Sequence, residues 1–233
     1  MTIFLKFFLY FLIYSILGWG MESFYVFLLD QKLVNRGFLL GPYCPIYGFG
    51  ALINILYLNQ YKDNPLTVFI ISMVLCSVLE YITSYLMEKI FKTRWWDYSD
   101  NKYNLNGRVC LRNTLLFGLA SLVLIYLINP IISNIINKIN ITYIYAISII
   151  WLILFITDII VSCNIISKLK KTASSIEIKD STIEISTMVR AKLNESNKIL
   201  QKRLLKAFPS IDLSKYVKIR KSKLKKLKKL FQK

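Results

Sequence analysis

The sequence predicts an all-α integral membrane protein, a bundle of about five transmembrane helices with the second broken or kinked, followed by a cytoplasmic, helical basic tail. Three observations carry this. Of 233 residues 55% are hydrophobic and 14% aromatic, with mean hydropathy +0.47. The apolar residues come in runs of about 20, the length that crosses a bilayer as helix. Charge is also partitioned: residues 1–167 hold 11 Lys+Arg against 8 Asp+Glu, while residues 168–233 hold 20 against 5. Secreted, collagen-like and fully disordered classes are excluded. Two parts follow, a transmembrane domain over 1–167 and a basic amphipathic tail over 168–233.

The first apolar segment runs from Phe4 to Leu29, the second from Phe38 to Leu58 and the third from Leu66 to Met87. The fourth covers Val109 to Ile128 and the fifth Ile141 to Ile166. Each must satisfy its own backbone in hydrocarbon, so each reads as helix. The first is read as a span rather than a cleaved signal, because it is long, lacks a small-residue cleavage site and contains Glu22. Basic residues set the orientation. With the tail inside, the connections place eight cations inside (Lys32, Arg36, Lys89, Lys92, Arg94, Lys102, Arg108, Arg112) and three outside (Lys6, Lys62, Lys138). The expectation is a multi-pass cell-membrane protein, amino end out and carboxyl end cytoplasmic.

This orientation brings polar groups of every span to one depth. Glu22, Arg36, Glu80, Arg108, Arg112, Asp158 and Asn164 all fall in the cytoplasmic half. An ionised group inside a membrane faces a partner or a wet cavity. Glu22 and Glu80 against Arg108 and Arg112 is the pairing expected. Two readings fit it: buried ion pairs that lock the bundle, or a cytoplasm-facing polar cavity for an anionic or zwitterionic ligand. The cavity would be lined by Glu22, Arg36, Glu80, Arg94, Asp97, Asn106 and Arg108.

Gly41-Pro42-Tyr43-Cys44-Pro45-Ile46-Tyr47-Gly48 is the least helical stretch in any span. Pro42 and Pro45 remove donors and bias the residues before them away from helix. Gly41 and Gly48 allow close approach. A broken helix, a re-entrant turn, or a helix that starts near Pro45 would each produce this pattern. In the third connection, Trp95, Trp96 and Tyr98 suit the headgroup interface, and Asn106-Gly107 signals a tight turn. Arg94 and Asp97 could hold a headgroup or each other.

No histidine is present and the four cysteines are widely spaced, so no metal, no cofactor and no catalytic set is expected. In the tail, Ile176, Ile183, Met188, Leu193, Leu200, Leu204 and Phe208 recur at roughly helical spacing, and Pro209 ends that pattern. Beyond it Leu213, Tyr216, Val217, Arg220, Leu224, Leu227 and Phe231 fall on one side, and lysines fill much of the rest. Such a helix beside a bilayer is expected to bind the anionic inner leaflet. Nucleic acid is disfavoured, because no readout motif accompanies the charge.

Several stretches together resemble a bacterial family labelled putative ABC-transporter type IV. They are Tyr14-Ser15-Ile16-Leu17-Gly18-Trp19 with Glu22-Ser23, Asn35-Arg36-Gly37-Phe38-Leu39, Gly41 to Gly50, Leu79-Glu80-Tyr81, Thr93 to Ser99, and Asn104 to Leu111. The resemblance covers about residues 8–165, and Leu204-Leu205-Lys206-Ala207-Phe208-Pro209 is similar to the family's tail. Leu40 and Tyr43 depart from it. It implies a permease-like transport protein. No phosphate-cradling G-x-x-x-x-G-K-[ST] loop is present, so the ATPase would be a separate polypeptide, and the small span number implies a homodimer. Two alternatives stay open: a membrane-embedded enzyme or carrier for a lipid-linked substrate, with Glu22 and Glu80 as acid/base groups, and an accessory or scaffold subunit.

Overall fold

A computed structural model describes residues 2–31, 34–35, 37–174 and 199–208. Among the described residues the chain is mostly helical, with one short hairpin, and four helices are long and apolar enough to cross a membrane: Ile3–Leu28, Pro65–Phe91, Leu111–Lys138 and Ile141–Leu169. It is an all-α, multi-pass membrane protein. The first helix, α1 (Thr2–Asp30), has no proline and closes on Gln31, which takes φ 51°. The chain then passes through an irregular stretch, 38–44, before α2 (Pro45–Leu58). Pro45 occupies the first turn of α2, where no donor is needed. At 1.5 Å per residue the 14 residues of α2 span only about 21 Å. The expected break is therefore a helix that begins at Pro45, with non-helical backbone ahead of it.

Helix α3 (Pro65–Phe91) starts at Asn64, whose side chain accepts from Thr67 N at 3.2 Å, and stops at Lys92 with φ 56°. A hairpin follows, β1 (Asn104–Leu105) antiparallel to β2 (Val109–Cys110), and leads into α4 (Leu111–Val123). Helical backbone then continues ten residues beyond the predicted end at Ile128, through a π turn, Leu124–Ile128, into α5 (Asn129–Lys138). Pro130 explains both the expectation and its correction. Proline cannot donate to the preceding turn, but widening that turn lets Asn129 N–H reach Leu124 O and the helix carries on. Helix α6 (Ile141–Ser174) is the longest, and α7 (Ile199–Ala207) is the described part of the tail. It ends before Pro209, as the sequence predicts. Arg36, the tail's other apolar positions from Ile176 to Leu193, and everything after Phe208 lie outside the described residues.

Helix α1 packs on α2, α3 on α4, α2 on α3, and α6 on α1. Phe8, Phe11 and Leu12 meet Leu52, Trp151 and Phe155 in one core, and Leu58, Val68 and Ile125 form another. Because lipid tails are as apolar as the helix surfaces, close approach and interhelical hydrogen bonds hold such a bundle. Gly48 lies directly against α1, and Asn54 Nδ2 donates to Ser121 Oγ at 3.0 Å across α2 and α4. Ser77 and Thr114 bond at 2.8 Å between α3 and α4.

Candidate functional site: a clamped turn and a carboxylate–phenol core

The irregular stretch before α2 is held from three sides. Asn35 Oδ1 accepts from Trp19 Nε1 at 2.8 Å and from Gly37 N at 3.0 Å, while its Nδ2 donates to Leu40 O at 2.9 Å. From α6, Asp158 accepts from the backbone N–H of Leu40 (2.9 Å) and Gly41 (2.7 Å) and from Ser162 Oγ (2.9 Å). From α7, Arg203 Nη2 donates to Gly37 O at 2.9 Å and also to Leu39 O. Cys44 N–H reaches back to Ser15 O at 2.9 Å. An anion thus takes the turn's donors and a cation takes its acceptors, so the non-helical backbone is satisfied without helix hydrogen bonds. Burial draws the Arg203 guanidinium below its usual basicity, and the charge of Asp158 opposes that.

Beside the turn, Glu22 of α1 accepts from Tyr47 Oη at 2.5 Å, and Glu80 of α3 accepts from Tyr98 Oη at 3.2 Å. The two pairs form one cluster, because Glu22 lies within electrostatic reach of Glu80 and of Tyr98. Glu80 is 6% exposed, and its second oxygen, Oε2, is sealed from solvent with no donor at bonding geometry. Tyr98 sits in the third connection, where burial first and the Glu80 carboxylate second hold its phenol protonated far above the usual range.

Here the predicted ion pairing is corrected. Among the described residues, Arg108 pairs with Glu88 (2.8 Å), not with Glu22 or Glu80, and Arg112 is exposed. Arg108 also donates to Ser84 Oγ at 3.1 Å and lies over the rings of Tyr81 and Tyr85. Arg94 bonds Glu88 at 3.4 Å and Asp97 at 3.2 Å. Asn106 Nδ2 reaches Tyr81 Oη at 3.0 Å. Among the described residues, the candidates group as an inner pair of carboxylates bonded to phenols and an outer layer of ion pairs. A depression of about 390 Å³ lies in the outer layer, against Tyr85, Glu88, Lys89, Lys92 and Arg108.

A tight hairpin turn organises that outer layer. Asn106 and Gly107 both have positive φ (54° and 66°), and Arg108 N–H closes onto Leu105 O at 3.0 Å, the geometry that Asn-Gly favours. Asp97 Oδ1 accepts from Ser99 N (3.0 Å) and Ser99 Oγ (2.5 Å) under this turn. Burial alone would raise the Asp97 carboxyl, but the Ser99 bonds and Arg94 outweigh it and hold it below its ordinary value. Its support is complete above the ordinary carboxylate range and is lost as pH falls through the lowered value. A Cβ on Gly107 would stand 2.4 Å from both Asp97 Oδ1 and Ser99 Oγ. Gly107→Ala is expected to destabilise the protein by ~2 kcal/mol, through the positive φ and the clash together. Thermal unfolding in detergent measures this, and an unchanged midpoint would contradict the geometry.

The aromatics of the third connection are packed. Trp95 is 2% exposed, because Phe38, Phe91 and Phe208 surround it with centroids 4.7–5.6 Å away. Trp96 is half-buried and donates to Arg108 O at 3.2 Å, while Tyr98 turns inward to Glu80. Phe208 carries α7 onto this cluster, with Leu204, Leu205 and Ala207 buried beneath it. Sequence reasoning assigned no role to Trp19, Asn35, Tyr47, Asp158 or Arg203. Asp158 carried a readable signal, as the single acid in an apolar 34-residue helix. Nothing in the spacing pointed Arg203 at backbone carbonyls more than 160 residues away.

Neither a curated protein nor a solved structure matches the chain. A family model described as "Putative ABC-transporter type IV" matches residues 9–163, and that stretch contains most of α1, all of α2 to α5, most of α6, the clamped turn, both carboxylate–phenol pairs and the hairpin. The chain is thus a membrane transport-related protein, and it belongs to the putative ABC-transporter type IV family.

Proposed function

We propose that this chain is the permease-like membrane subunit of a transport system energised by a separate ATPase. Its working centre is the cluster of Glu22, Tyr47, Glu80 and Tyr98 beside the clamped turn, and its ligand is small and polar. The observation that carries this reading is the meeting of two carboxylates from different spans, α1 and α3, next to non-helical backbone at the start of α2. Interrupted helices with exposed backbone groups are where membrane transporters build polar sites. The amino end lies outside, and α7 with the rest of the basic tail lies in the cytoplasm against the anionic leaflet, as the eight-to-three excess of loop cations favours. The transmembrane domain covers 1–167, and two copies form the working unit.

The test is purification of the tagged protein from its native membranes in gentle detergent, followed by mass spectrometry of what is retained. A stoichiometric ATPase is the expected result. Recovery of the chain without one, loaded with a lipid-linked molecule, would overturn the reading in favour of an enzyme or carrier.

A further inference from the structure

The depression in the outer layer carries more positive charge than its lining neutralises. Lys89, Lys92 and Arg108 line it against a single carboxylate, Glu88. That carboxylate is shared, since it bonds Arg108 at 2.8 Å and Arg94 at 3.4 Å. Among the described residues, the ion pairs of this layer engage Arg94 and Arg108 only. Lys89 lies instead over the Tyr85 ring, 6.0 Å from its centroid, and Lys92 is exposed where α3 ends. Arg108 is fixed by Glu88, by Ser84 Oγ at 3.1 Å and by the rings of Tyr81 and Tyr85. Its two bonds use two of the five N–H donors of a guanidinium. Three cations against one carboxylate leave a surplus of two. The carbonyl end of α3 offsets about half a charge of it, so the depression still suits an anion.

Its place on the helix says which kind of anion. Pro65–Phe91 is long and apolar enough to cross a membrane, and Glu88 and Lys89 fall in its last turn. On the same helix Ile82, Leu86 and Ile90, four residues apart, are 47–63% exposed. Positions four apart share a helix face, and Lys89 stands two turns after Ile82 on that side. The charged depression thus continues directly into an apolar stripe of a membrane-length helix. A soluble anion would use only the first, whereas a phospholipid would use both. Arg94 and Asp97, the pair expected to hold a headgroup or each other, hold each other.

We infer that this depression binds the phosphodiester headgroup of an anionic phospholipid, with Lys89 and Lys92 as its charge contacts, Arg108 as a fixed donor and the acyl chains along Ile82, Leu86 and Ile90. Basic pockets at the ends of spans recognise headgroups in this way. A phosphodiester brings one negative charge and two free oxygens. A headgroup with its own ammonium cancels that charge, so the surplus favours an amine-free headgroup such as phosphoglycerol over phosphocholine.

The site lies outside the carboxylate–phenol core and stands or falls apart from the transport reading. Its test is photolabelling of the full-length protein in phosphatidylcholine nanodiscs, doped with phosphatidylglycerol that carries a diazirine in its headgroup. The basic tail attracts the same lipid, so the readout is where the label lands, mapped by mass spectrometry after a protease that does not cut at lysine. Label on residues 81–92 is expected, with far less from a phosphatidylcholine probe of the same build. Lys89→Gln combined with Lys92→Gln should lower it roughly tenfold. The paired arginine variant should retain it, and so should Lys62→Gln at the other end of α3. Inorganic phosphate, added at constant ionic strength, should not displace the label. Equal labelling by both lipids, or label that survives the paired glutamine variant, would overturn the proposal. Displacement by phosphate would overturn it in favour of a soluble anion. If the glutamine variant does not fold, competition in the wild type decides: unlabelled phosphatidylglycerol should displace the probe, and equal displacement by phosphatidylcholine would count against the site.

Discussion

Replacing Gly48 by alanine is expected to keep the membrane domain from assembling. The added methyl would lie 2.3 Å from Ser15 Oγ and 2.6 Å from the backbone oxygen of Phe11. Neither neighbour can give way, since Ser15 Oγ is bonded to Phe11 O at 2.7 Å and that oxygen is part of α1 itself. The helices would have to separate, and the separation would pull Tyr47 away from Glu22 and Cys44 N–H away from Ser15 O. Overpacking a tight site costs about 1–3 kcal/mol when side chains can adjust, and this contact is to backbone, so ~3 kcal/mol or more is expected. Gly50→Ala is the internal control. Its methyl would meet only Leu79 Cδ2, at an ordinary 3.6 Å, and alanine favours the helix. Size-exclusion profiles in mild detergent should show Gly48→Ala aggregated or absent and Gly50→Ala like the wild type. Equal behaviour of the two would contradict the α1–α2 packing.

How much of this was legible in the sequence follows from the range of the interactions. Span positions depend on local apolar runs, so α1, α3, α4 and α6 start close to where hydropathy places them. The break in the second segment is also local, because two prolines and three glycines within ten residues leave the backbone few options. Asn106-Gly107 could be read as a turn for the same reason. Partner choice was the illegible part. Depth alone made Arg108 a natural partner for Glu22 or Glu80, but depth does not distinguish faces of a helix. Glu88 lies eight residues after Glu80 on α3, near the end of the span, where it meets Arg94 and Arg108 together. Glu80 instead faces inward, and a phenol satisfies one of its oxygens without adding charge. The cover over Trp95 was illegible for a related reason: Phe208, whose ring packs edge-on against it, lies 113 residues later.

The second large effect is expected at Asp158, which sequence reading had noticed only for its depth. Alanine there would strip acceptors from Leu40 N–H and Gly41 N–H, leave Ser162 Oγ without its partner and remove the anion that balances Arg203. Hydrogen bonds to a charged group contribute about 1.5–3 kcal/mol each, so losing the two backbone bonds should cost ~3 kcal/mol or more even after water partly replaces the carboxylate. Asp158→Asn is the sharper variant. It preserves volume and one carbonyl oxygen, but presents an NH2 where the second backbone donor needs an acceptor, so it should recover only part of the loss. Arg203→Gln removes the opposite charge from the same turn, and the double variant with Asp158→Asn should be less destabilised than the sum of the two singles. Thermal midpoints of all four proteins in one detergent decide the matter. A strictly additive result would mean that anion and cation support the turn independently. A coupling of 0.5 kcal/mol or more, in the range seen for groups that share a network, would mean that α6 and α7 hold the turn as one clamp, with the tail helix a working part of the transmembrane domain.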